Sequence, residues 1–125
     1  VLVVDDNEDT RLIAYRVIES LGYGVVLARD GVEAFGLARR FHPDLILTDQ
    51  VMPRMGGKEL CRLIKTDPEL SAVKVILMTG LYRKDRQRID FMRESGADDF
   101  LTKPIGFDKL EGVLAGWLQL ENVDP

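Results

Sequence analysis

Three aspartates stand where alternating strands and helices would bring them together. Asp5 and Asp6 follow the run Val1-Leu2-Val3-Val4, and Asp49 follows Leu45-Ile46-Leu47-Thr48. The hydroxyl of Thr79 ends a third apolar run, and the ammonium of Lys103, followed by Pro104, lies just beyond a fourth. If the first two of these runs are neighbouring strands, three carboxylates converge in one crevice, flanked by a hydroxyl and a cation. Two carboxylates ~4 Å apart repel by about 4 kcal/mol at an effective dielectric near 20. Such a crevice must keep a proton or recruit a cation. Oxygen-only donors suit a hard ion such as Mg2+, which takes one or two carboxylates together with waters and phosphate oxygens. Taken alone, Asp5 and Asp6 could equally be acids capping the N-terminus of the helix that follows.

The elements that must position these groups are legible in the hydrophobic pattern. Val1 to Val4, Leu45 to Leu47 and Val73 to Met78 are short apolar runs of the kind found in strands buried on both faces. Gly24 to Ala28 and Ala97 to Leu101 supply two more strands. Between them, Leu12, Ile13, Val17, Ile18 and Leu21 form a helical stripe closed by Gly22, and Asp30-Gly31-Val32-Glu33 has the form of a helix start. His42-Pro43-Asp44 ends that second helix, because proline disfavours helical geometry in the residue before it. Leu60, Cys61, Leu63 and Ile64 mark a third helix ending near Asp67-Pro68, residues 83–95 a fourth, and Leu110, Val113, Leu114, Trp117 and Leu118 a fifth. Five strand–helix units in alternation predict one α/β domain, a doubly wound parallel sheet with helices on both faces. In such sheets ligands gather beyond the carboxyl ends of the strands, where strand order reverses. That is where the three acids, Thr79 and Lys103 fall.

Composition narrows the function classes. Seventeen basic against twenty-one acidic residues give a net charge of −4, and 46% of the 125 residues are hydrophobic, enough for a core without staples. One cysteine makes neither an internal disulfide nor a cysteine-based zinc site. No apolar run approaches the 18 residues or so of a membrane span, and nothing at Val1 resembles a signal segment. The acidic balance argues against nucleic-acid binding by the surface as a whole.

Other chemistries fail on particular residues. Asp5-x-Asn7-x-Asp9 begins like an EF-hand loop, but Thr10 stands where glycine is required and Arg16 where glutamate is. Asn7 also breaks the Asp-x-Asp of a dehalogenase-type phosphatase. No glycine-rich phosphate loop follows the first strand. His42 belongs to the end of the sheet opposite the acids, and Cys61 lies on the apolar stripe of its helix, a core position.

Taken in order, Val1-Leu2-Val3-Val4-Asp5-Asp6-Asn7-Glu8, Pro43-Asp44-Leu45-Ile46-Leu47-Thr48-Asp49, Met52-Pro53-Arg54-Met55-Gly56-Gly57, Met78-Thr79-Gly80 and Gly96-Ala97-Asp98-Asp99-Phe100-Leu101-Thr102-Lys103-Pro104 resemble the receiver domain of two-component response regulators. The resemblance covers residues 1–125 as one domain. It implies a flavodoxin-like (β/α)5 fold, a five-stranded parallel sheet with strand order 2-1-3-4-5. That order comes with the resemblance; the apolar runs alone do not give it.

The resemblance further implies that Asp49 is the phosphoacceptor, taking its phosphoryl group from a phosphohistidine on a histidine kinase or phosphotransfer protein. Asp6, Asp49 and the backbone carbonyl of Val51 would hold Mg2+ (or Mn2+), with Asp5 reaching it through water. Lys103 would pair with a phosphoryl oxygen, and Thr79 would bond the phosphoryl group after transfer. Pro104 matches the family's cis-proline. Phe100 occupies the place of the aromatic switch that would alter the face built from the fourth helix, fifth strand and fifth helix, a face through which two copies could pair. The plainer alternatives are a strand-end hydroxyl for Thr79, a solvated loop lysine for Lys103 and simple strand packing for Phe100. Val51 and Leu81 sit where the family tunes hydrolysis of the acyl phosphate; both are apolar, so slow self-dephosphorylation is expected. Gln50 departs from a commonly apolar position. The fourth helix carries Arg83, Lys84, Arg86, Arg88 and Arg93 against Asp85, Asp90 and Glu94, a solvated face or a partner surface.

The expected protein is a cytoplasmic signalling module, not an enzyme beyond its own phosphorylation and dephosphorylation, with no membrane or direct nucleic-acid partner. The alternative is a small Mg2+-dependent phosphatase of similar fold. Val1 opens directly on the first strand without a methionine, and residues 118–125 trail off after the last helix. These ends suggest a segment of a longer regulator or hybrid kinase, with any output domain on further sequence or on a separate protein.

Overall fold

A computed structural model describes residues 1–80, 90 and 93–118. Its five strands, β1 (Leu2–Val4), β2 (Val26–Ala28), β3 (Leu45–Asp49), β4 (Lys74–Thr79) and β5 (Asp99–Thr102), form one parallel sheet in the order β2-β1-β3-β4-β5. The helices are α1 (Glu8–Ser20), α2 (Gly31–Phe41), α3 (Gly57–Thr66) and a C-terminal helix (Phe107–Leu118). Residues 93–95 are also helical. Leu81 and residues 83–92 of the basic helix predicted over 83–95 lie outside the described residues, Asp90 excepted.

Two apolar layers arise from the two-residue period of the strands. Leu2, Val4, Ile46 and Val75 face α2 and α3, where they meet Ala34, Ala38, Leu60, Cys61 and Ile64. Val3, Leu45, Leu47, Ile76 and Met78 face the opposite way, onto Ala14 and Ile18 of α1 and Leu110 and Leu114 of the C-terminal helix. Cys61 is fully buried, and burial pushes its thiol up to about 11, so it packs as a small hydrophobe. The strand limits differ slightly from the sequence expectation. β2 begins at Val26 instead of Gly24, and β5 at Asp99 instead of Ala97. At β5 the reason is visible: Asp98 N–H donates to the Val75 carbonyl, but the Val75 N–H is taken by the Asp98 carboxylate, which also accepts from Lys65 Nζ, so the backbone ladder is not continued toward Ala97.

The helix starts are fixed by side chains. Asn7 caps α1, accepting from Thr10 N–H at 3.0 Å, and Asp30 caps α2, accepting from Glu33 N–H at 2.9 Å. Glu33 reaches back to the N–H of Arg29, one residue before the cap, giving a variant of the predicted capping box. His42 ends α2 in the left-handed region with φ 48. At the far end of the sheet, Trp117 donates its indole N–H to Asp99 Oδ2 at 2.9 Å, and Asp99 Oδ1 accepts from Phe100 N–H at 2.8 Å.

One close approach decides how α3 meets the sheet. Gly57 N–H donates to the Gln50 carbonyl at 3.0 Å. A Cβ at Gly57 would overlap the Asp49 carbonyl oxygen and lie 2.9 Å from Leu77 Cδ2. Both neighbours belong to buried strands that cannot yield cheaply. Gly57→Ala is therefore expected to lower stability by about 1–3 kcal/mol through overpacking. Urea unfolding with an unchanged slope would check this, and a wild-type midpoint would contradict it.

Candidate functional site

Strand register brings the chemistry to one edge. Val4 pairs with Thr48, so Asp5 and Asp49 leave their strands side by side. Thr79 pairs with Thr102, and Lys103 N–H donates to the Thr79 carbonyl at 2.8 Å, which sets Lys103 at the same level two strands away. The Lys103 stem crosses β4 and delivers its ammonium 2.9 Å from Asp5 Oδ2 and 3.3 Å from Asp49 Oδ2. The Lys103–Pro104 peptide bond is cis.

Asp5 is fully buried and heavily bonded. Besides Lys103, its Oδ1 accepts from Asn7 N–H at 2.9 Å, while its backbone carbonyl accepts from Arg11 Nη1 at 2.7 Å. Asp49 is half-buried and accepts from Gln50 N–H at 2.9 Å. Asp6 faces solvent. One oxygen from each of the three carboxylates fits within a 4.8 Å cluster. An all-oxygen set with one solvent-facing member suits a hard divalent ion that keeps part of its water shell, so the residues present fit Mg2+.

The electrostatics follow from two carboxylates, Asp5 and Asp49, sharing one ammonium. Burial raises the Asp49 pKa, and the nearby Asp5 charge raises it further. Lys103 and the Gln50 N–H oppose this without cancelling it. For Lys103, burial alone would lower the pKa. The Asp5 hydrogen bond and the charges of Asp49 and Asp5 outweigh that, and the net shift is upward. The ammonium is therefore held charged while Asp49 is held at a cost.

The remaining sequence candidates distribute as follows. Thr79 is buried at the end of β4, and Phe100 is partly buried in β5 beside Leu77. Val51 exposes its side chain two residues beyond Asp49. Leu81 lies outside the described residues. Gln50 buries its Oε1 without a hydrogen-bond partner among the described residues, and nothing in the structure explains that choice. The reading of Asp5 and Asp6 as simple helix caps is corrected: Asn7 makes the cap, because its side chain is the one reaching the first-turn N–H groups. Sequence inspection missed Arg11 and Gly57. An N-cap asparagine before Glu8-Asp9 was a usable signal, whereas the Arg11 contact with Asp5 carries no motif.

Comparisons with known proteins agree with this geometry. The family model described as response regulator receiver domain matches residues 1–115. The polar-differentiation response regulator DivK of Brucella ovis is 36% identical over 119 residues, 94% of each chain, and that of Brucella anthropi is 35% identical over the same span. Among solved structures, the receiver domain of a signal transduction histidine kinase from Syntrophus aciditrophicus superposes with a TM-score of 0.86 at 34% identity, covering 99% of this chain and 92% of that one. The receiver domain of a sensor histidine kinase from Pseudomonas aeruginosa, solved with a magnesium ion in its active-site cleft, gives 0.84 at 30% identity, covering 94% and 95%. The phosphatase alternative finds no support among these matches.

Two substitutions should move the metal-free protein in opposite directions. Lys103→Ala leaves the Asp5 carboxylate buried without its cation and should cost about 1–3 kcal/mol. Asp49→Asn removes a carboxylate whose ionisation the fold resists, so it should stabilise the protein at pH 7. The raised Asp49 pKa gives a stability contribution that is present below the ordinary carboxylate value and lost as pH rises through the folded value. The advantage of Asp49→Asn should therefore shrink as pH falls through that interval. Denaturation in EDTA at a series of pH values tests both; a pH-independent difference would contradict the assignment.

Proposed function

This chain belongs to the response regulator receiver domain family, and from that premise we propose that it accepts a phosphoryl group on Asp49. The observation that carries the proposal is the meeting of Asp5, Asp6 and Asp49 within 4.8 Å, with the Lys103 ammonium against two of them. In the proposed reaction an Asp49 oxygen attacks the phosphorus of a phosphohistidine on a histidine kinase or phosphotransfer protein. The new P–O bond forms as the P–N bond breaks, and the imidazole leaves with its electron pair. Phosphoryl transfer asks a protein mainly for alignment and charge neutralisation.

The residues divide that work. Asp49 is the nucleophile, at the end of β3. Lys103 would turn from Asp49 to a phosphoryl oxygen, a compact charge on a flexible stem suited to such a change of partner. The Thr79 hydroxyl would donate to another phosphoryl oxygen. Asp6, Asp49 and the Val51 carbonyl would hold Mg2+ or Mn2+ directly, with Asp5 acting through water. When bound, the divalent ion supplies charge neutralisation and a template for the phosphoryl oxygens. Phosphorylation would then draw Phe100 inward and favour a second arrangement of the face around β5 and the C-terminal helix. Apolar Val51 and Leu81 offer no group to orient an attacking water, which supports a long-lived acyl phosphate. No helix among the described residues is long and apolar enough to cross a membrane. We place the module in the cytoplasm, with a kinase or phosphotransfer protein as partner, residues 1–125 as one receiver unit, its output on further sequence or a separate protein, and the face around β5 and the C-terminal helix as where two copies could pair.

Incubation with acetyl phosphate and Mg2+, followed by intact mass, should show a single added phosphoryl group. Asp49→Asn should abolish it, and EDTA should prevent it. Rapid multiple turnover without an adduct would overturn the proposal. Following the decay of the labelled protein separately tests the slow hydrolysis; loss within about a minute would contradict it, since unassisted acyl phosphates of this type are expected to last longer where no water-orienting group is present.

A further inference from the structure

Arg54 has a positive φ of 68, a backbone region that suits glycine and carries a penalty for residues with a Cβ. Two glycines follow closely, at 56 and 57, yet this position keeps a long cationic side chain. Its guanidinium grips Asp30, with Nε 3.0 Å from Oδ2 and Nη2 on the same oxygen. The Asp30 side chain is only 7% exposed, and its other oxygen caps α2. Beside the ion pair, Gly31 N–H donates to the Met55 carbonyl at 3.2 Å. A Cβ at Gly31 would fall 2.6 Å from that carbonyl, so the two segments touch backbone to backbone.

These contacts tie together the loops that follow three adjacent strands. Asp5 N–H donates to the Ala28 carbonyl at 3.2 Å, joining the acidic end of β1 to the turn that carries Asp30. Arg54 and Met55 join that turn to the loop leaving β3, whose first residues are Gln50 and Val51. Gln50 N–H donates to the Met78 carbonyl and Gly57 N–H to the Gln50 carbonyl, closing the loop onto the sheet from its other side. We propose that Arg54 is a positioning residue: by holding Asp30 it fixes the loop after β3 and presets the acidic crevice for a divalent cation. The proposal rests on the receiver reading of the crevice. Its ion pair is with Asp30, so Arg54 acts through the turn after β2 and not on the cation itself. The left-handed backbone is what the chain accepts to aim the side chain there.

The test uses the full chain with Arg54→Gly, Asp30→Asn and Arg54→Lys. Arg54→Gly frees the backbone but loses the grip, whereas Asp30→Asn keeps the cap oxygen and loses the charge. Both should weaken Mg2+ binding in calorimetric titration, by less than the roughly 10- to 100-fold that follows removal of a group bonded directly to a metal ligand. Both should also speed hydrogen exchange at the Gly31 amide in metal-free protein, at a temperature where every variant is folded. Arg54→Lys should restore part of the affinity. Wild-type affinity and wild-type Gly31 protection in Arg54→Gly would overturn the proposal. If the wild type itself binds no Mg2+ and gains no phosphoryl group, the receiver reading fails. Gly31 exchange in metal-free protein then still decides whether Arg54 holds the loop.

Discussion

The Lys103 ammonium sits between Asp5 and Asp49, 2.9 Å from one carboxylate and 3.3 Å from the other, and the rest of the fold is arranged to make that contact. A fully buried Asp5 is tolerable only with a cation beside it. No neighbouring strand supplies that cation. It arrives from β5, across β4, on a side chain long enough to span the gap, and the Thr79–Lys103 backbone bond sets the starting height. One ammonium does not balance two carboxylates. The raised Asp49 pKa shows that the fold resists this second charge, and the all-oxygen cluster of Asp5, Asp6 and Asp49 fits a hard divalent ion.

Much of this arrangement is legible because its signals run along the chain. β1, β3 and β4 announce themselves as short apolar runs, and each places a chemistry-bearing residue at its end or within two residues of it. Asp5, Asp49 and Thr79 can thus be assigned to one edge from the order of residues alone, and Lys103 joins them from the end of the fifth apolar run. The side-by-side placement of Asp5 and Asp49 requires β1 next to β3, a topological fact that comes from resemblance to a known fold and not from the pattern itself. β2 and β5 start two residues later than their patterns suggest. At β5, local periodicity does not register a competing side chain, that of Asp98 bonding to the Val75 amide.

What stays hidden depends on segments far apart in sequence. Nothing in Arg11 suggests that it will bond the Asp5 carbonyl, and nothing in Gly57 says that the Asp49 carbonyl lies where its Cβ would be. Asp30 is readable as a cap, but not as the second half of an ion pair with Arg54, 24 residues on. Steric exclusions and loop-to-loop pairs emerge only when the strand ends are stacked, so the supporting parts of a site are harder to read than its reacting groups. His42 and Cys61 illustrate the reverse, since position along the chain is enough to exclude both from the chemistry. The structure finds His42 exposed at the end of α2 and Cys61 in the core.

Trp117 is the only tryptophan in the chain, and its indole N–H is bonded to the carboxylate that also accepts from the Phe100 amide. An indole's emission depends on the field and the hydrogen bond at its nitrogen. A rearrangement of β5 near Phe100 would alter both through Asp99. The molecule therefore carries an intrinsic optical gauge of the hydrogen bonding at β5, free of competing tryptophan signal and needing no attached dye.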